Sequence, residues 1–138
     1  MSGPLVPGFV SIEDPSEVDE GADYILLLEF TEVVKVNVGS LRNIELKKGW
    51  YGYCGSAKAG LWGRVRRHLS APLKKRWHID HITPYSTSRQ VFWRGYEEGG
   101  ECAAASGLSK RFEGVIGFGC SDCRCRSHLF YLGERITW

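Results

Sequence analysis

Tyrosine, arginine and histidine side chains follow one another closely in the segment between residues 53 and 68. Tyr53 lies near the end of the aromatic run WYGYC, which predicts a strand, and the residues GSA then end that strand. Arg64 and His68 are four residues apart, so on a helix they share one face. A guanidinium binds phosphate through two parallel hydrogen bonds, and a histidine can accept or donate a proton near neutral pH. The spacing therefore places Arg64 and His68 at the edge of the core, where both can point toward the strand that carries Tyr53.

The surrounding elements predict a mixed α/β (α+β) domain, with a small, mostly antiparallel β-sheet flanked by helices. Residues 24–30 are almost continuously apolar, which is typical of a central strand covered on both faces. Leu61, Val65 and Leu69 recur at every fourth position and predict a helix over residues 60–69. Further strands are expected at residues 32–38, 42–46, 50–54, 91–96 and 128–132, and a second helix at residues 101–108.

The length of 138 residues suits one domain. Residues 1–21 carry an acidic run without apolar periodicity and are interpreted as a lead segment, which leaves residues 22–138 as the domain. No stretch approaches the roughly 18 apolar residues of a membrane span, and the acidic N-terminus does not have the pattern of a secretory signal. Five cysteines form a poor disulfide framework, which favours the reducing cytoplasm.

Basic side chains are concentrated in residues 58–79, where no acid occurs, although the net charge of the chain is only +2. A local basic stripe beside a near-neutral balance is typical of a surface that faces a polyanion. A solvated helix face is the plainer alternative. The candidate contacts to nucleic acid, with DNA as the expected partner, are Lys58, Arg66, Arg67, Lys74, Lys75, Arg76 and His78.

The run YCGSA at residues 53–57, followed by Arg64 and His68, resembles the second half of the GIY-YIG nuclease motif. Residues 22–24 (ADY) would be its first half, and Glu101 would match the single acidic metal ligand of that superfamily. The segments WHID, ECA and GCSDCRCRSHLFY resemble an uncharacterised, DUF123-like branch found largely in archaea and bacteria, alone or joined to an endonuclease III-like DNA-repair domain. The motif departs from the usual form, because neither Gly nor Ile precedes Tyr24.

The resemblance implies a metal-dependent endonuclease that hydrolyses DNA phosphodiester bonds in repair or processing. Tyr24 and Tyr53 would lie near the attacking water, with the pKa of Tyr24 lowered by a neighbouring cation. Arg64 would bind the phosphate, His68 would assist, and Glu101 would bind Mg²⁺ or Mn²⁺. Singly, a strand tyrosine is usually a packing residue, and a first-turn glutamate usually serves the helix dipole. Two alternatives are a nucleic-acid-binding module with a lapsed site, and a structural or metal-binding interaction domain centred on the Cys-rich loop.

The segment WHID at residues 77–80 forms a second polar cluster. On a strand, His78 and Asp80 would share one face, where they could contact nucleic acid or order His68. The alternative is a structural hydrogen bond between His78 and Asp80 beneath a packed Trp77.

The Cys-rich loop offers soft metal ligands at the spacing C-x2-C-x-C-x2-H. A tetrahedral Zn²⁺ site could use four of them, although ordinary zinc motifs pair two distant half-sites. The rival interpretations are a redox-labile pair that includes Cys102 or Cys54, and plain buried thiols. The candidate zinc ligands are Cys120, Cys123, Cys125 and His128.

Overall fold

A computed structural model describes residues 6–70, 74–120 and 124–135. Two α-helices and eight strands are found in this part of the chain, and the expected mixed α+β class is confirmed. The helices are α1 (Leu61–Ser70) and α2 (Gly100–Ser109). The strands are β1 (Val10–Ile12), β2 (Ala22–Phe30), β3 (Val34–Asn37), β4 (Asn43–Leu46), β5 (Gly49–Ala57), β6 (Ser88–Gly95), β7 (Glu113–Gly114) and β8 (Leu129–Gly133).

Six of these strands form one sheet in the order β1-β6-β2-β5-β8-β7, and every neighbouring pair is antiparallel. The expected strand pair after residue 31 forms a separate two-stranded ribbon of β3 and β4. The apolar strand β2 lies at the centre, hydrogen-bonded to β5 and β6, which confirms its predicted position. Because the pair is antiparallel, the start of β2 lies beside the end of β5, with Tyr24 opposite Gly55.

Side chains of β2 alternate between two hydrophobic cores, one on each face of the sheet. Leu26 belongs to the core that contains Leu61 and Val65 of α1. Ile25 belongs to the other core, which contains Ala104 of α2. Because both faces are covered, β2 is apolar throughout and does not show the polar–apolar alternation of a half-exposed strand. The two helices therefore approach the sheet from opposite sides.

The structure differs from expectation at residues 77–80. His78–His81 and Thr83–Tyr85 form 3₁₀-helices, so the interpretation of residues 77–80 as a strand with His78 and Asp80 on one face is wrong. The backbone N–H groups of Arg76 and Trp77 both donate to Asp80 Oδ2, at 2.8 and 3.0 Å, and this local turn competes with strand formation.

The lead segment also contains a strand that its composition did not predict. Its strand β1 pairs with β6 at the edge of the sheet, and Phe9 is fully buried. Among the described residues, no helix combines the length and the apolar character needed to cross a membrane.

Candidate active site

A buried tyrosine–histidine pair lies between the sheet and α1. The hydroxyl of Tyr24 is 2.6 Å from Nε2 of His68, and both side chains are 1% exposed. Gly55 stands opposite Tyr24 in the neighbouring strand, and a Cβ atom there would overlap the phenol ring. Glycine at this position therefore makes room for the ring of Tyr24 against β5, and the helix positions His68 over its hydroxyl.

The ring nitrogens of His68 are in different environments. Nε2 faces Tyr24, whereas the buried Nδ1 has no hydrogen-bond partner among the described residues. Burial, aided by the nearby guanidinium groups of Arg64 and Arg67, lowers the pKa of His68 to about 4 despite the opposing charge of Asp80. His68 is therefore neutral at physiological pH, and its imidazole can accept the hydrogen of Tyr24.

Arg64 lies next to this pair and remains half-exposed. Its guanidinium stacks 4.5 Å from the ring centre of Trp77 and is close enough to favour ionisation of Tyr24. Burial of the phenol is the larger effect, and the pKa of Tyr24 is raised above its usual value. In the described part of the chain, no carboxylate forms an ion pair with Arg64. Its charge is therefore available to an anionic ligand.

The neighbouring Arg67 has a structural role. It forms an ion pair with the fully buried Asp80 at 2.9 Å and donates to the carbonyl of Lys74 at 2.7 Å. Arg67 is one of the candidate contacts to nucleic acid, but only a quarter of its side chain is exposed. The pair connects α1 to the 3₁₀-helix His78–His81. The hydrogen bonds from this arginine and from the backbone lower the pKa of Asp80 despite its burial.

Tyr53 is partly exposed and packs edge-on against His68 and Phe118, with ring centres 5.9 and 6.1 Å apart. Burial of the phenol, together with the neighbouring Tyr24 and the charge of Glu101, raises the pKa of Tyr53 well above its usual value. Of the two tyrosines, Tyr53 is the one that reaches solvent. Both are protonated at neutral pH.

Glu101 begins the first full turn of α2, after Gly100. A Cβ at Gly100 would overlap the carboxylate of Asp23, which is fully buried and forms an ion pair with Arg94 at 3.6 Å. This close packing anchors the start of α2 against β2. Glu101 then lies near enough for its charge to raise the pKa of Tyr24 and of Tyr53. The helix packs on the opposite face of the sheet from α1, yet the charge at its first turn acts on both tyrosines.

Cations of the basic stripe are either exposed to solvent or lie against aromatic rings. Lys74 and Lys75 are exposed, Lys58 is exposed with its Nζ atom 5.8 Å from the ring centre of Tyr96, and Arg76 stacks on Trp77 at 5.5 Å. A groove of about 540 Å³ is lined by Gly63, Arg64, Arg66, Arg67, Ser70, Arg76 and Trp77. Arg64 therefore opens into a groove with basic and aromatic walls.

His78 does not lie in that groove. Its Nδ1 accepts a hydrogen bond of 2.9 Å from the backbone N–H of Gly119, and its Nε2 is 3.2 Å from the hydroxyl of Ser40. No hydrogen bond to His68 or Asp80 is found among the described residues. His78 instead holds the loop that follows β7 against the rest of the domain.

The Cys-rich loop contributes to a different ligand cluster from the one that its spacing predicted. The ligand atoms of Cys102, Cys125 and His128 all lie within 4.8 Å of one another, an arrangement that could hold a metal ion. Cys120 lies outside this cluster, with its thiol 3.3 Å from the carbonyl of Phe118. The fourth predicted ligand, Cys123, lies outside the described residues. Cys102 comes from α2, so spacing within the loop could not reveal it as a ligand.

His128 connects this cluster to Glu101. Its Nε2 is 3.7 Å from Sγ of Cys102, and its Nδ1 is 3.4 Å from Oε2 of Glu101. Burial disfavours the imidazolium, but the adjacent Glu101 and Cys125 outweigh it and raise the pKa of His128. Glu101 therefore contacts the histidine of this cluster, and its charge also acts on the two tyrosines.

The model of one protein family, described as a domain of unknown function, DUF123, matches residues 23–137. No curated protein and no solved structure matches the chain. The family match covers more than half of the chain, including both tyrosines, Arg64, His68 and Glu101. The protein therefore belongs to the DUF123 family.

Proposed function

We propose that this domain is a metal-dependent endonuclease of the GIY-YIG type that hydrolyses phosphodiester bonds in DNA. The observation that carries the proposal is the position of Arg64. Its guanidinium lies beside the Tyr24–His68 pair and borders a groove with basic and aromatic walls. No acid neutralises it within the described residues. A half-exposed cation held in this way by Trp77 is suited to bind the phosphate that reacts.

Arg64 is the group that stabilises developing negative charge. Stacking on Trp77 limits the orientations of the guanidinium before the phosphate arrives, so little freedom is lost on binding. The planar guanidinium can donate two parallel hydrogen bonds to phosphate oxygens. These bonds strengthen as charge accumulates on the oxygens in the transition state.

The two tyrosines have different tasks. Tyr24 is buried next to Arg64 and donates a hydrogen bond to the neutral His68, so it supports the site without contacting solvent. Tyr53 reaches solvent and can hydrogen-bond the attacking water or a phosphate oxygen. Burial keeps both phenols protonated in the domain without bound metal or DNA. In that state their hydroxyls serve as hydrogen-bond partners.

Glu101 fits a hard divalent cation such as Mg²⁺ or Mn²⁺. Its Oε2 faces His128, and its Oε1 makes no hydrogen bond within the described residues. One carboxylate oxygen, with water and phosphate oxygens as further ligands, is an ordinary set for Mg²⁺. The ion would supply charge that lowers the pKa of bound water and polarises the phosphate.

The basic groove supports DNA as the substrate. The exposed cations around it can follow a phosphate backbone, while Arg67 and His78 hold the fold beneath. Part of the affinity would then come from release of counterions, and binding should weaken steeply as salt rises. The proposal places the reaction in the cytoplasm, where cysteine thiols persist in the reduced form.

Nicking of supercoiled plasmid in the presence of Mg²⁺ or Mn²⁺ tests the proposal. We expect Arg64→Ala to slow nicking by roughly 10²–10³-fold, because a donor to the transition-state charge is lost. Glu101→Ala should abolish metal-dependent nicking. Lys35→Ala removes an exposed cation from the separate β3–β4 ribbon and is the matched control, with unchanged activity expected. Wild-type protein that binds DNA but never nicks it would refute the nuclease proposal.

One observation favours a binding module as the second candidate. Tyr24 is fully covered and its pKa is raised, so it is poorly placed to act as a base. A lapsed nuclease would still bind DNA with a strong salt dependence. Arg66→Ala should then reduce the slope of log K against log salt by about 1 while Lys35→Ala leaves it unchanged. Salt-dependent binding without nicking assigns the domain to this class.

A further inference from the structure

We infer that Cys102, Cys125 and His128 form a Zn²⁺ site that joins the start of α2 to the loop before β8, with Glu101 as the carboxylate behind the histidine. This site differs from the one predicted by loop spacing, because it takes a ligand from a helix and leaves Cys120 out. It does not depend on nuclease activity.

The separations between ligand atoms agree with a tetrahedral centre. Zn–S and Zn–N distances of about 2.3 and about 2.0 Å place two ligand atoms about 3.5–3.8 Å apart in a tetrahedron. Cys102 Sγ and His128 Nε2 are 3.7 Å apart, and every pair in the cluster lies within 4.8 Å. Closure by at most about 1.3 Å would therefore bring the three atoms into bonding geometry. Two thiolates and an imidazole are ligands that Zn²⁺ prefers.

The orientation of His128 provides a second, independent argument. Nε2 points toward the cysteines, while Nδ1 faces the Glu101 carboxylate at 3.4 Å. Histidine ligands of zinc usually donate the N–H of their other ring nitrogen to such a carboxylate, which fixes the tautomer and orients the ring. A simple pair of cysteines poised for a disulfide would not require this arrangement.

Packing and backbone hydrogen bonds fix the positions of Cys102 and His128. Cys102 lies in the first turn of α2, which packs through Gly100 against Asp23. The carbonyl of His128 accepts from the N–H of Cys54 in β5 at 2.8 Å, and its own N–H donates to Phe118 at 2.8 Å. These bonds position the imidazole before any metal arrives.

A metal ion would have a path to the cluster. A cavity of about 500 Å³ is lined by Cys102 and Cys125 together with Ser106, Ser127, Arg124 and Arg126. Its walls are formed by α2 on one side and the loop on the other. Metal binding would therefore connect two segments that are far apart in sequence, α2 and the loop before β8.

Counting bound zinc in paired serine variants tests the assignment. Metal-free protein is prepared under reducing conditions, dialysed against Zn²⁺, freed of excess metal and measured by mass spectrometry. We expect one zinc per chain in wild type and in Cys120→Ser, and an affinity at least about 100-fold lower in Cys102→Ser. Glu101→Gln should lower the affinity by about 10–100-fold, because it acts only through His128.

Wild-type protein provides a readout that does not depend on folding of the variants. Co²⁺ added to the metal-free wild type should produce thiolate-to-cobalt charge-transfer absorption. Absence of zinc and of that absorption, or full zinc binding by folded Cys102→Ser, would overturn the inference. If Cys102→Ser still nicks DNA with Mg²⁺ whereas Glu101→Ala does not, Glu101 acts directly in nicking, and the two proposals are separated.

Discussion

Replacement of His68 by glutamine should remove a large part of the acid sensitivity of the fold. The pKa of His68 is lowered from 6.5 to about 4 by burial, with Arg64 and Arg67 adding to the effect and Asp80 opposing it. Above pH 6.5 the folded and the unfolded chain both hold this imidazole neutral. As pH falls from 6.5 toward 4, the unfolded chain binds a proton that the folded chain rejects, so the free energy of unfolding decreases.

The size of this effect follows from the difference between the two pKa values. Each pKa unit corresponds to about 1.4 kcal/mol, so the stability lost near pH 4 is roughly 3 kcal/mol. This is a large fraction of the total of about 5–15 kcal/mol that is typical of a domain. Glutamine does not titrate, and its side-chain oxygen can still accept from the Tyr24 hydroxyl.

Urea unfolding followed by tryptophan fluorescence between about pH 7.5 and about pH 4.5 measures this effect. The unfolding free energy of wild type should decrease across that range. The decrease for His68→Gln should be smaller, by most of the roughly 3 kcal/mol calculated above. His81→Gln, a change at a histidine in the neighbouring 3₁₀-helix, is the matched control and should follow wild type. The contributions of His78, Asp80 and His128 cancel in the comparison. If the plots of unfolding free energy against pH were parallel for wild type and His68→Gln, the buried neutral imidazole would be refuted.

Two further substitutions test the packing beneath the site. Tyr24→Phe leaves Nε2 of His68 buried without its hydroxyl partner and should cost about 1–3 kcal/mol of unfolding free energy, measured by urea titration at neutral pH. Gly55→Ala places a methyl group in the Tyr24 ring and should cost about 1–3 kcal/mol in thermal or urea unfolding, whereas Gly95→Ala, where a Cβ meets no atom within 4 Å, should be nearly neutral. Equal effects of the two alanine substitutions would contradict the close approach at Gly55.

Much of the fold was predictable because local patterns agree with the tertiary structure. The continuous apolar run in β2 predicted a doubly covered central strand, and the four-residue repeat of Leu61, Val65 and Leu69 predicted α1. The helix period also placed Arg64 and His68 on one side of α1. These features depend on residues that are close in sequence, which is why spacing was sufficient.

Other features were decided by contacts between distant residues. The local pattern did not indicate the ion pair between Asp80 and Arg67, which connects the 3₁₀-helix at residues 78–81 to α1. Strand β1 contains only three residues, and its pairing with β6 determines its structure. Such short elements have weak intrinsic preferences, and tertiary hydrogen bonds decide them.

The sequence by itself determined which chemical groups this protein has and that Arg64 and His68 share a helix face, because helical periodicity follows from local geometry. Only the tertiary structure decided that Tyr24 is covered and bonded to His68, and that burial raises the pKa of Tyr24 although a guanidinium lies nearby. Only the fold also brought Cys102 to His128, since their separation in the chain carries no information about their distance in space. Exposure and long-range proximity are properties of packing, and spacing along a chain does not contain them.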